Sequence, residues 1–207
     1  MEYMEKVVLH YAEDLRLNDE EFFRFCQDNP ELKFERTKNG DIIFMALTGG
    51  ETGRLNTSLN FEIELWNRQA RFGVVFDSST GFRLPDSSVK SPDVAVVAAH
   101  RWESLAPEQR KKFVPICPDF VLELKSPSDS LEEAKQEMTE WIENGCRPAW
   151  LLDPENQTAH VYRRQANRRK PPDSRAANCP PHRCCLVSGW IWIYSRSHAA
   201  KVKSQKK

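Results

Sequence analysis

The sequence predicts an α/β sandwich, a mixed β-sheet flanked by helices. Three observations predict it. Asn39-Gly40 sits between two runs of β-type residues, LKFER and IIFMAL, which is a strong short hairpin signal. Leu55, Leu59, Ile63 and Trp66 recur at spacings of four, four and three, giving a helix with one buried stripe. Ser130 and Glu133 form an S-x-x-E capping pattern directly after an apolar strand pattern, PDFVLELKS.

The first 17 residues carry little signal and read as an N-terminal extension. Asn18 or Asp19 caps a short helix, DEEFFRFCQDN, with Phe22, Phe25 and Cys26 along one side, and Pro30 ends it. The hairpin LKFER–KNGD–IIFMAL follows, and Thr48-Gly49-Gly50 breaks its second strand. The long helix runs from about Glu51 to Ala70, with Gly73 as its stop. VVFDSS, TGFRL and SPDVAVVAA read as three strands joined by polar turns, and HRWESLAPEQRKKFVPI as a helical turn and a surface loop. PDFVLELKS is the next strand. After the capping pattern, Leu131, Ala134, Met138, Trp141 and Ile142 make the apolar face of a helix that Gly145 terminates. PAWLLD and QTAHVYRR are the last two strands, joined by a turn over Asp153 to Asn156.

Composition narrows the function classes. A 207-residue chain with 40% hydrophobic content supports one core. Its mean hydropathy is −0.64, and no apolar run approaches the roughly 18 residues a membrane helix needs. The N-terminus carries early acids and lacks a signal-peptide pattern. A soluble, cytoplasmic protein without a membrane partner is expected. The six cysteines form no CxxC pair and read as reduced thiols, neither a disulfide framework nor a zinc site. The formal charge of zero conceals an asymmetry. Arg164 to Lys207 holds six Arg, five Lys and one Asp, a net +10, so residues 1–163 carry −10.

The chemistry lies in SPDVAVV and PDFVLELKS. Residues two apart on a strand share a face, so Glu123 and Lys125 project together at a strand end. Asp93 follows Pro92 at the start of its own strand. If the two strands pair, two carboxylates and an ammonium converge. Repelling carboxylates want a cation between them, and oxygen ligands of this kind suit Mg²⁺, with Mn²⁺ as a substitute. The Leu124 carbonyl adds a further candidate ligand. Such a site suits phosphodiester hydrolysis, with Lys125 positioning the water or stabilising phosphate charge. Taken singly, these residues also have plain readings. Asp93 could be a turn residue, Glu123 and Lys125 the solvated face of an edge strand, and Lys135 an ordinary solvated residue. Trp141 and Trp150 read as core aromatics.

Pro-Asp followed about 30 positions later by Glu-x-Lys resembles the PD-(D/E)xK nucleases. TGGETG, SPDVAVV, PDFVLELKSPSDSLEEAKQEM, WIENGCRPAWLLDPE and AHVYR together resemble the Uma-type restriction endonucleases of that superfamily, over roughly Leu17 to Arg163. The resemblance implies a restriction-endonuclease-like fold for residues 18–163 and a metal-dependent DNA endonuclease. It implies Asp93, Glu123 and Lys125 as the catalytic residues, with Asp93, Glu123 and Leu124 holding the metal. Glu51 falls where members of the superfamily often carry a helix-borne acid, and an acid there also suits the helix dipole. Duplex cleavage needs two cuts, and a homodimer is one way to supply them. The acidic body argues against tight duplex binding, so two other functions stay open. One is a catalytically silent module binding nucleic acid or protein; the other is a phosphohydrolase acting on small nucleotides.

Residues 164–207 depart from the pattern. Their composition is that of a basic disordered segment or of a nucleic-acid-binding arm. A shifted reading frame is the third reading. Read one base later, the codons of Trp190-Ile191-Trp192-Ile193 give Gly, then Phe, Tyr or Ser, then Gly, which resembles the Gly-aromatic terminus of the family.

Overall fold

The computed structural model describes residues 6–127, 129–164 and 201–206. It is a mixed α/β fold with two sheets where the sequence predicts one. The first sheet has the order β1-β3-β2-β6-β5, built from β1 (Lys6–Leu9), β2 (Lys33–Arg36), β3 (Ile42–Met45), β5 (Phe82–Arg83) and β6 (Val89–Lys90). The second has the order β11-β10-β9-β8-β7-β4, built from β4 (Gly73–Asp77), β7 (Val94–Ala98), β8 (Phe120–Leu124), β9 (Ala149–Asp153), β10 (Thr158–Arg163) and β11 (Lys201–Lys206). β5 and β6 have two residues each, too short to show any period. β5 lies within the expected strand TGFRL, whereas β6, just before SPDVAVVAA, had no signal in the sequence.

The hairpin of β2 and β3 forms as expected, antiparallel with Arg36 opposite Ile42. Its turn places Gly40 at φ 86°, a conformation that favours glycine. The N-terminal extension contributes a strand that the sequence did not announce, since β1 pairs antiparallel with β3. Helix α1 (Asp19–Asp28) is capped by Asn18, whose side chain accepts from the Glu20 and Glu21 amides while Glu21 reaches back to the Asn18 amide. Helix α2 (Gly50–Ala70) ends at Arg71, in the left-handed conformation. Gly73 instead opens β4, where the Val97 carbonyl would lie only 1.9 Å from an added Cβ. The predicted helical turn and loop appear as two short helices, α3 (Ala99–Glu103) and α4 (Pro107–Arg110). Helix α5 (Leu131–Glu143) is capped by the Ser130 side chain, as its S-x-x-E pattern requires.

Helices α2 and α5 cover opposite faces of the second sheet, because its central strands are apolar on both faces. Val94, Val96, Leu122, Leu124 and Trp150 pack against Leu59 and Ile63 of α2. Ala95, Val97, Val121, Ala149 and Leu151 pack against Met138 and Trp141 of α5, together with Phe82 of β5 and Leu84 just after it. A third cluster, Phe22, Phe34, Ile42 and Val89, fixes α1 on the first sheet. Helix α5 joins two parallel neighbours, β8 and β9, as a crossover must. No helix of the described residues is long and apolar enough to cross a membrane. Of the tail, the backbone of Lys201–Lys206 forms β11, parallel to β10. The disordered-segment and reading-frame expectations for 165–200 lie outside the described residues.

Asp19 fastens α1 to the first sheet through ion pairs with Arg36 of β2 and Arg83 of β5. Burial alone would raise its pKa, but the two guanidinium partners outweigh that and hold it below the usual value. A depressed carboxylate pKa stabilises the fold at pH above the unfolded value, and that contribution is lost as pH falls through the folded one. Asp19→Asn is therefore expected to lower stability by about 1 kcal/mol at pH 7, discounted because Asp19 is half exposed. The difference from wild type should be smaller in urea melts near pH 3 than at pH 7. An equal difference at both pH values would refute the pairing.

Candidate active site

β7 and β8 pair antiparallel, with Val94 opposite Leu122 and Ala95 opposite Val121. Continued one residue, that register sets Asp93 against Glu123. Two side chain–backbone bonds tie the strand ends together here. The Asp93 amide donates to Glu123 Oε2 at 3.1 Å, and the Leu124 amide donates to Asp93 Oδ2 at 2.8 Å. A residue in an extended strand directs its N–H and C=O to the same neighbour, so the Leu124 carbonyl also faces the Asp93 side. Trp141 of α5 donates Nε1 to Glu123 Oε1 at 3.2 Å, so this buried core aromatic is also a partner of the site. From the other side α2 supplies Asn56, whose Nδ2 donates to Asp93 Oδ1 at 2.8 Å, and Asn60, whose Nδ2 donates to the Asp93 carbonyl at 3.1 Å.

Behind this pair lies a layer of charge that the sequence did not reveal. Glu35 of β2 is buried and accepts the Ser91 amide at 2.8 Å. Lys90 of β6 is 12% exposed and sits 3.1 Å from Glu137 and 2.9 Å from Glu140, both on α5. Burial opposes the Lys90 charge, but Glu137, Glu35 and Glu140 outweigh it and hold the ammonium protonated far above its usual range. Burial, reinforced by Glu137, pushes the Glu35 carboxyl up to about 7. Glu123 is pushed well above its usual value by burial first, then by Glu137 and Asp93. Asp93 is also raised by burial, against the pull of the Leu124 amide, Lys33 and Asn56. Signals for these residues existed but were faint. Alternation in KFER puts Lys33 and Glu35 on the face opposite Phe34 and Arg36. Glu137 lies one turn before Trp141, on the same side of α5.

The expected residues are not all brought together. Lys125 is buried, at 8% exposed, beside Glu123 in sequence. Its ammonium donates to the Ser126 carbonyl at 2.9 Å and lies 3.6 Å from Glu155. Glu51 is exposed at the start of α2 and pairs with Arg54, so contact with Asp93 comes from Asn56, five residues further along the helix. Lys135 pairs with Glu132 on the surface of α5.

The donor set suits a hard divalent cation. Two carboxyl groups meet at the ends of β7 and β8, both with pKa values raised, first of all by burial. Beside them the amide oxygen of Asn56, Oδ1, is buried without a hydrogen-bond partner among the described residues. Among those residues no three His, Cys, Asp or Glu side chains converge into a ready-made metal cage. Mg²⁺ does not need one, because it is commonly held by one or two carboxylates plus waters and substrate phosphate. The charge and the orphaned oxygen therefore fit such an ion.

The model of one protein family, Uma2, described as "Putative restriction endonuclease", matches residues 19–197. No curated protein matches the chain. Among solved structures, the fold is similar to that of a "putative nuclease belonging to DUF820" from Anabaena variabilis ATCC 29413. That chain is 22% identical, with a TM-score of 0.58, over 72% of this chain and 81% of the other.

Proposed function

The chain belongs to the Uma2 family, and from that premise we propose that it is a metal-dependent endonuclease that hydrolyses DNA phosphodiester bonds at Asp93, Glu123 and Lys125. The observation that carries the reading is the pair of bonds across β7 and β8, from the Asp93 amide to Glu123 and from the Leu124 amide to Asp93, which holds two buried acids at adjoining strand ends. Asp93, Glu123 and the Leu124 carbonyl would hold Mg²⁺ or Mn²⁺. Bound there, the ion supplies charge neutralisation and Lewis-acid polarisation at the scissile phosphate. Asn56 and the Leu124 amide keep the Asp93 carboxylate turned into the site, and Trp141 does the same for Glu123. Lys125 positions the attacking water and stabilises negative charge on the phosphate. Its ion pair with Glu155 is long, and Glu155 is 65% exposed. Such a pair contributes little, so a phosphate can draw the ammonium away from it.

The orientation of Lys125 also favours a second reading, a silent binding module on the same fold. Plasmid cleavage decides between them. Supercoiled DNA with Mg²⁺ or Mn²⁺ should be nicked by the wild type, and Lys125→Ala should slow nicking by a factor on the order of 10² to 10³. A folded wild type that binds DNA without cutting it would establish the silent module instead. Appearance of nicked circles before linear product would indicate one cut at a time, and a dimer would give linear product directly.

A further inference from the structure

We propose that Asn56 is a positioning residue of the cation site, holding Asp93 with its amide nitrogen and offering its amide oxygen to the cation or to a water around it. The proposal rests on the endonuclease reading above and extends the site to helix α2. Asn56 and Asn60 are four residues apart and share one helix face. Together they grip Asp93 at two points, its carboxylate and its peptide carbonyl. The amide orientation of Asn56 follows from chemistry, since an ionised carboxylate only accepts and the nitrogen must face it. The oxygen is thereby committed to the other direction, where it is buried and has no donor among the described residues.

A buried acceptor without a donor is costly, and native folds rarely keep one without a role. Anchoring Asp93 alone would need only a donor. An amide adds an acceptor beside two carboxyl groups already held at the ends of β7 and β8, Asp93 by the Leu124 amide and Glu123 by the Asp93 amide. What satisfies an oxygen there is positive, either the cation or the polarised hydrogens of its waters. Amide oxygens are ordinary ligands of hard divalent cations. Asn60 offers a comparison within the same helix. It also contacts Asp93, but none of its side-chain atoms is buried without a partner.

The test is direct Mn²⁺ binding, read by the loss of the free-ion signal in electron paramagnetic resonance. It uses the full-length chain with no DNA present, so no turnover is involved. Asn56→Leu, which keeps the size and removes both polar atoms, should weaken Mn²⁺ binding about 10- to 100-fold. Asn56→Asp keeps an oxygen and adds charge. It should bind Mn²⁺ about tenfold more tightly than wild type, while melting at lower temperature without metal. Equal loss in Asn56→Asp and Asn56→Leu would overturn the proposal, because only the nitrogen's grip on Asp93 would then matter. Wild-type affinity in Asn56→Leu would overturn it too. Circular dichroism melts check folding. Should Asn56→Leu not fold, Asn56→Asp decides alone, since gain and loss of affinity have opposite signs. No Mn²⁺ binding by the wild type would defeat the metal-dependent reading itself and this proposal with it. Binding that survives in Asn56→Leu but fails in Glu123→Gln would defeat this proposal alone.

Discussion

Glu123→Gln is expected to reduce metal-dependent DNA cleavage by a factor of about 10³ or more while the protein stays folded. The substitution keeps the shape of the side chain and an oxygen for one of its two donors, Trp141 Nε1 or the Asp93 amide. It removes the negative charge that a cation and a phosphate need. Loss of one hydrogen bond costs about 1 kcal/mol. Relief of the buried charge works the other way, because burial first, and then Glu137, Asp93 and Glu35, push the Glu123 carboxyl toward its neutral form. The midpoint of urea unfolding should therefore move little. A cleavage assay paired with a melt gives the result, and full activity in this variant would place the chemistry elsewhere in the chain. The separation of the two readouts is the informative part. On the function proposed above, such a result would mean that the carboxylate is held at some expense to the fold.

The largest loss of stability is expected at Trp141. Its side chain is 0% exposed and packs with Met138, Val121, Ala149 and Leu151 between α5 and the second sheet. Trp141→Ala removes most of that contact and leaves a cavity, which costs about 3–5 kcal/mol. That is a large share of the roughly 5–15 kcal/mol typical of a domain. Trp141→Phe is the more discriminating variant. It keeps most of the apolar volume but leaves Glu123 Oε1 without its indole donor. Its stability should fall by about 1–2 kcal/mol, and cleavage should fall more steeply than stability alone explains. Urea denaturation measures the first quantity and nicking rates the second. A Trp141→Ala protein within 1 kcal/mol of wild type would contradict the packing described.

The sequence made the centre of the site legible because its signals were local. Pro92-Asp93 before an apolar run and Glu123-x-Lys125 at a strand end each show in a few residues. Antiparallel pairing of the two strands was enough to bring the acids together. The capping pattern at Ser130 and the stripe through Leu55, Leu59 and Ile63 were equally local, and both helices appeared where expected. What remained hidden depends on packing between distant segments. Glu35, Lys90 and Glu137 are ordinary charged residues in their own neighbourhoods. Only the placement of β2, β6 and α5 around the strand ends makes a cluster of them. Asn56 had no signal, because one asparagine on a helix looks like any surface residue until its helix docks. Glu51 shows the reverse. Its position near the helix start was noticed, and it sits there exposed and paired with Arg54.

The two acids are delivered by segments 30 residues apart, and their supports come from residue 35 on one side and residue 141 on the other. A chain emerging from the ribosome thus carries Asp93 well before its opposing carboxylate exists. Even after Glu123 is made, α5 must still be synthesised and docked before Trp141 can orient it. Chains fold during synthesis as whole units, and contacts of long sequence separation form late. On the function proposed above, competence to cut DNA would arrive only when nearly all of the two sheets has been made and closed. A copy terminated before α5 would lack the indole that holds Glu123 and would carry an incomplete site.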